Sequence, residues 1–146
     1  MLKRITHNKE LIDKVAKLVR WHMEPAHFIM GGAHPPAYKR LAHRLAPDLN
    51  IAMLLKVATA DRRGRNGSSS EPLTHEDQGL MLFAQKAADA QVAHDREAAL
   101  LSGKDFLEHI APGPKLGRAV ERAYELQMDG ETDKERLKHI VLKEML

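Results

Sequence analysis

The apolar stripes in this chain recur at three- and four-residue intervals, and proline or glycine cuts most of them short. That combination allows helices of limited length joined by tight turns. No stretch alternates apolar and polar residues for long enough to build a strand. The predicted class is all-α, a compact bundle of about six to seven helices with a C-terminal helix hairpin.

Asn8 is a good N-cap for a helix running to about Met23, with Leu11, Ile12, Val15, Leu18, Val19 and His22 on one stripe. Pro25 should stop it, leaving Ala26 to His34 as a loop with Gly31 and Gly32 at the tip. Pro35 and Pro36 start a short helix whose core face is Tyr38, Leu41, Ala42 and Leu45, and Pro47 ends it. Asp48 is placed to cap the next helix, which carries Ile51, Leu54, Leu55 and Ala58. That helix is apolar nearly all round until Asp61, which predicts a central position.

Gly64 to Pro72 holds glycine, asparagine and three consecutive serines, the strongest break in the chain. It divides a helical subdomain at 1–66 from a helical tail at 74–146, with 67–73 as a flexible loop. Thr74 to Asp77 opens a long helix with Leu80, Phe83, Ala84 and Ala87 inward, its stripe extending through Gln91 to His94. Thr132-Asp-Lys-Glu135 has a capping-box pattern and opens a last helix with Leu137, Ile140, Val141 and Met145 inward.

Composition narrows the function classes. A chain of 146 residues suits one domain or two small helical subdomains and can bury roughly 70% of its unfolded surface. It has no cysteine, hence no disulfide framework and no thiolate zinc site, which fits a reducing, cytoplasmic setting. No apolar run approaches the roughly 18–20 residues of a membrane span, and Met1 to His7 lacks the apolar core of a secretory signal. A net charge of +3 permits an anionic partner without demanding one. Three Phe, two Tyr and one Trp are too few for binding dominated by base stacking.

Ser102 to Gly130 concentrates the features that carry chemistry: a short helix, a Pro/Gly turn and a longer helix entered through Gly113-Pro114. Free N–H groups at that helix start, with Lys104, Lys115, Arg118 and Arg122 nearby in sequence, suit a phosphate. Gly113 and Gly117 would let a nucleic-acid backbone approach. If Gly117 lies where the preceding short helix crosses, a branched side chain there would overpack the hairpin. A second basic run, Arg62-Arg63-Gly64-Arg65, places three guanidiniums beside the predicted loop, where bidentate phosphate contacts are natural. By spacing, Leu116 and Tyr124 are core residues.

Gly103-Lys104-Asp105, then Pro112-Gly113-Pro114-x-x-Gly117-Arg118, then Ala123-Tyr124-x-x-Gln127-x-x-Gly130 closely resembles the C-terminal region of bacterial tRNA nucleotidyltransferases and poly(A) polymerases. Ala58-Thr-Ala-Asp61-Arg-Arg-Gly64-Arg65 is similar to the run that closes the HD-type helical domain of the same enzymes, and the two matches occur in the family's order. The resemblance implies a partial HD-type subdomain at 1–66 followed by an RNA-binding tail, the parts that grip tRNA away from the reacting end. It also implies that the nucleotidyl-transfer head, with its Gly-Ser motif and paired aspartates, is missing, so this chain should not add nucleotides alone and has no catalytic residue of its own. RNA of tRNA type is the expected partner, with Arg62, Arg63, Arg65, Lys104, Gly113, Lys115, Arg118 and Arg122 as the contacts.

Asp61 matches the last aspartate of the HD metal set, but the helices supplying the other ligands have no counterpart here. One or two side chains hold an octahedral cation poorly, so neither metal nor cofactor is expected, and a capping role for Asp61 is the simpler reading. His94-Asp95 is no replacement pair, since adjacent helical residues diverge by about 100°, and His94 reads as a histidine at the edge of the core. Two alternatives stay open. One is residual metal-dependent phosphohydrolase activity centred on Asp61 and His22. The other is a helical scaffold that pairs with itself or with a missing head domain through helix 8–23 or the central helix.

Overall fold

The computed structural model describes residues 8–65 and 78–146, save the side chains of Arg63 and Arg65. Among the described residues there are seven α-helices, one 3₁₀ turn and no strand. The helices are α1 (Lys9–Trp21), α2 (Glu24–Gly31), α3 (Pro35–Leu45), α4 (Ile51–Arg65) and α5 (Gln78–Asp89). The 3₁₀ turn (Gly103–Phe106), α6 (Pro114–Met128) and α7 (Lys134–Met145) follow. The chain is all-α. It divides into two units, 1–96 and 97–146.

In the first unit, Asn8 caps α1 as expected, its side chain accepting from the Leu11 N–H at 3.2 Å. Pro25 does not leave a loop behind it. It sits in the first turn of α2, where a missing N–H costs nothing, so the chain re-enters a helix within three residues of Trp21. That helix ends at Gly32, whose φ of 64° is the left-handed conformation glycine adopts freely. The predicted inward face of α3 is buried at all four positions. Asn50 rather than Asp48 caps α4, accepting from the Met53 N–H at 2.8 Å.

Helix α4 is less enclosed than its composition predicts: Ile51, Leu54 and Ala58 are buried, whereas Met53, Lys56 and Ala60 face solvent. Alanine and methionine tolerate either environment, so an all-round apolar pattern overstated its burial. Its helix also continues through Gly64 and Arg65, where a loop was predicted. Thr74 to Asp77 and the 67–73 loop lie outside the described residues.

Helix α5 packs against α2, α3 and α4 and so belongs to the first unit, not to the tail as the break at 67–73 predicted. The cause is an aromatic cluster. Phe83 from α5 lies 5.1 Å from Tyr38 and 5.8 Å from Phe28, centroid to centroid, and Phe28 and Tyr38 are 5.1 Å apart. Gln91, at φ 60°, ends the helical path, so the stripe never reaches His94, which is exposed in a bend. The Ala93 carbonyl then accepts from the Ala52 N–H at 2.9 Å, tying this segment to the start of α4.

The second unit has its own core, in which Leu101, Phe106, Ile110, Ala119, Ala123, Leu137 and Val141 are buried together. Helices α6 and α7 pack against each other, and in the predicted hairpin at 103–130 the first arm is only a four-residue 3₁₀ turn packed on α6. Asp133, not Thr132, is the N-cap of α7, its carboxylate accepting from the N–H groups of Glu135 at 3.0 Å and Arg136 at 3.3 Å. A carboxylate at that position also answers the partial positive charge of the helix start.

Candidate functional site

The hairpin mouth is built in three steps. Ser102 donates its N–H to the Asp105 carboxylate at 2.7 Å, closing the 3₁₀ turn that drives Phe106 into the core. Those hydrogen bonds hold the Asp105 carboxyl below its ordinary value of 3.8. The chain then reaches Gly113, whose φ of 149° and ψ of −171° lie in a region essentially restricted to glycine. From there Pro114 enters α6, a helix of 15 residues with no side chain capping its start.

Lys104, Lys115 and Arg118 are all exposed near this mouth in sequence, and among the described residues none has an ion-pair partner. Gly117 is exposed within the first turns of α6, and a Cβ there would meet nothing within 4 Å. The expected overpacking at Gly117 is therefore corrected, because no preceding element crosses it. The two glycines should part company on substitution. Gly113→Ala should lose about 1–3 kcal/mol to backbone strain, whereas Gly117→Ala should gain about 1 kcal/mol of helix propensity. Thermal melts of the two variants check both signs.

Arg122 is not available to a ligand in the same way. Its Nε donates to Glu144 at 2.9 Å and its Nη1 to Glu125 at 3.2 Å, a fork that clips α7 onto α6. Those hydrogen bonds raise the Arg122 pKa, and Arg122 in turn holds the Glu144 carboxyl below its ordinary 4.5. Both lowered carboxyls, Asp105 and Glu144, stabilise the fold fully above the unfolded pKa and lose that contribution as pH falls through the folded value. Acid unfolding should thus begin below about pH 4.5, and Asp105→Asn with Glu144→Gln should flatten that limb in a circular-dichroism titration.

Tyr124 and Gln127, part of the pattern that carries the family resemblance, turn out to hold the backbone. Tyr124 donates its hydroxyl to the Glu97 carbonyl at 2.5 Å. Gln127, 3% exposed, donates to the Ala98 carbonyl at 2.8 Å and accepts from the Leu100 N–H at 2.9 Å. The side-chain amide thereby takes the place of a neighbouring strand for residues 97–101. Its four-residue spacing from the buried alanines Ala119 and Ala123 was the signal in the sequence.

No family model, curated protein or solved structure matches the chain. The functional reading rests on the residues themselves.

In the first unit, Arg62 is exposed in the last turn of α4, while the side chains of Arg63 and Arg65 lie outside the described set. His22 and Asp61 do come together, Nε2 to Oδ2 at 3.9 Å, joining the end of α1 to α4. The His22 Nδ1 meets the Val19 carbonyl one turn back, which fixes the ring. Among the described residues no three His, Asp or Glu side chains are grouped so as to hold a metal. No described helix is long and apolar enough to cross a membrane.

Charge is divided unevenly between the units. Residues 1–96 carry fifteen Lys and Arg against ten Asp and Glu, a net +5, while residues 97–146 carry eight against ten, a net −2. The exposed cations near Gly113 thus belong to an acidic unit, and the excess positive charge lies in the first unit.

Proposed function

We propose that this chain is an RNA-binding helical module, similar to the body and tail of tRNA nucleotidyltransferases and poly(A) polymerases, that grips duplex RNA of tRNA type by its phosphates. The observation that carries the reading is the helix start at Gly113: uncapped, entered through a glycine-only conformation, and flanked in sequence by the unpaired Lys115 and Arg118. An exposed Gly117 with no steric reason to be glycine fits a place where another backbone comes close. The net +5 of residues 1–96 supplies the longer-range attraction.

Titrating tRNA against salt tests it. For six or more phosphate contacts, affinity should fall on the order of 10³-fold or more between 50 and 200 mM salt. Lys115→Glu with Arg118→Glu should weaken binding while moving stability by no more than about 0.5 kcal/mol, as both residues are exposed. A folded protein that binds no tRNA at low salt would sink the reading.

One observation favours a second reading, the self-associating scaffold. Helix α1 has no buried residue, and Leu11 and Val19 on its apolar stripe are 47% and 54% exposed. A helix this amphipathic ordinarily covers that stripe. Sedimentation at rising concentration should then show a dimer that Leu11→Glu with Val19→Glu disperses; a monomer throughout rejects the scaffold.

A further inference from the structure

Trp21 is the single tryptophan of the chain, and it carries two guanidiniums. The Arg20 guanidinium carbon lies 5.3 Å from the ring centroid and that of Arg44 lies 5.4 Å from it. The two cations come from the last turns of different helices, α1 and α3. A third joins them, for Lys17 Nζ donates to the carbonyl of Leu45, the neighbour of Arg44, at 3.4 Å. That carbonyl is neutral, so the ammonium keeps its charge. Among the described residues, none of Lys17, Arg20 and Arg44 has a carboxylate partner.

Each feature has an ordinary cause taken singly. Cations favour helix C-termini, and guanidiniums favour indole faces. Together they are less ordinary. Two guanidiniums within reach of one ring repel each other, and among the described residues neither is paired with a carboxylate that would offset that repulsion. The ring is also partly buried, since Trp21 packs against the core cluster that includes Tyr38, Leu41 and Leu45. The packed indole thus presents unpaired guanidiniums as forks for an anion, and each fork matches two phosphate oxygens.

We infer that Lys17, Arg20, Trp21 and Arg44 form a phosphate-backbone clamp for duplex RNA on the first unit. This site deepens the RNA-binding reading and rests on it. The geometry also decides what the clamp reads. With two guanidiniums already over the ring, the site presents cations rather than a bare aromatic platform, so it grips the backbone regardless of sequence.

Trp21 is its own reporter. Phosphate binding would engage the guanidiniums that lie over the ring and change its electrostatic surroundings, so intrinsic fluorescence should change saturably as a duplex RNA is added, with the same midpoint as binding followed by a labelled RNA. Two duplexes of equal length and different sequence should give the same midpoint. Arg20→Gln with Arg44→Gln should weaken binding about tenfold or more and lower the slope of log affinity against log salt by about two. Arg20→Gln alone should lower it by about one, which serves if the double variant melts early. Arg20→Lys with Arg44→Lys should recover the slope but only part of the affinity.

If the unaltered protein binds duplex RNA with a steep salt dependence, yet the glutamine variants keep its affinity and slope, the clamp is overturned and the RNA-binding reading stands. A sequence preference between the two duplexes that disappears in the glutamine variants also overturns it, since the ring then reads bases. Failure of the unaltered protein to bind any duplex RNA at low salt overturns both.

Discussion

Gln127→Leu should destabilise residues 97–146 by about 2 kcal/mol or more, although leucine fits a buried helical position better than glutamine does. The amide holds the Ala98 carbonyl and the Leu100 N–H at 2.8 and 2.9 Å from a site that is 3% exposed. Leucine would leave both groups unpaired, at about 1–3 kcal/mol for each that water does not reach. A fifty-residue unit has only about 2.5–7.5 kcal/mol to lose at the usual 0.05–0.15 kcal/mol per residue. The Leu100 amide should therefore exchange with solvent deuterium far faster in the variant, along with the amides of α6 and α7. Gln127→Glu should also destabilise, since it keeps the acceptor for Leu100 but sets a buried carboxylate oxygen against the Ala98 carbonyl. Unchanged protection at Leu100 in the leucine variant would show that the extended segment is held by its apolar contacts alone.

Contacts of this kind lie beyond what local periodicity encodes. Helix class and core faces were legible because they depend on local periodicity: Tyr38, Leu41, Ala42 and Leu45 fall on one stripe and are all buried. Pro25 was misread because proline breaks a helix and starts one with equal ease, and only the residues after it decide which. The place of α5 depended on Phe83 meeting Phe28 and Tyr38, partners more than forty positions away in sequence, which no local pattern encodes. Among the site residues, exposure of Lys115 and Arg118 followed from the stripe of Leu116 and Val120. The pairing of Arg122 with Glu144 did not, since it crosses between helices. The clamp at Trp21 was invisible for the same reason: Arg20 is its neighbour in sequence, and Arg44 is not.

The second large effect concerns Tyr38, where two substitutions should act in opposite directions. The residue is 1% exposed and its ring joins Phe28 and Phe83 at the centre of the first unit. Tyr38→Ala removes that ring and should cost about 3–5 kcal/mol, the range for emptying an aromatic site in a core. Its hydroxyl, however, has no hydrogen-bond partner among the described residues. A buried hydroxyl without one forfeits the bonds it made to water in the unfolded chain. Tyr38→Phe keeps the packing and deletes that penalty, so it should gain about 1 kcal/mol. In a unit of this size that is a rise of about 4–8 °C in Tm. Burial also pushes the Tyr38 pKa above its ordinary 10.0. The fold therefore prefers the neutral phenol, and that preference is fully present below pH 10 and is lost as pH rises through the folded value. Melting temperatures taken between pH 7 and 11 should thus fall more steeply for the parent than for Tyr38→Phe. A phenylalanine variant that melts lower than the parent at pH 7 would show that the hydroxyl is bonded, and that the centre of this core holds a polar contact.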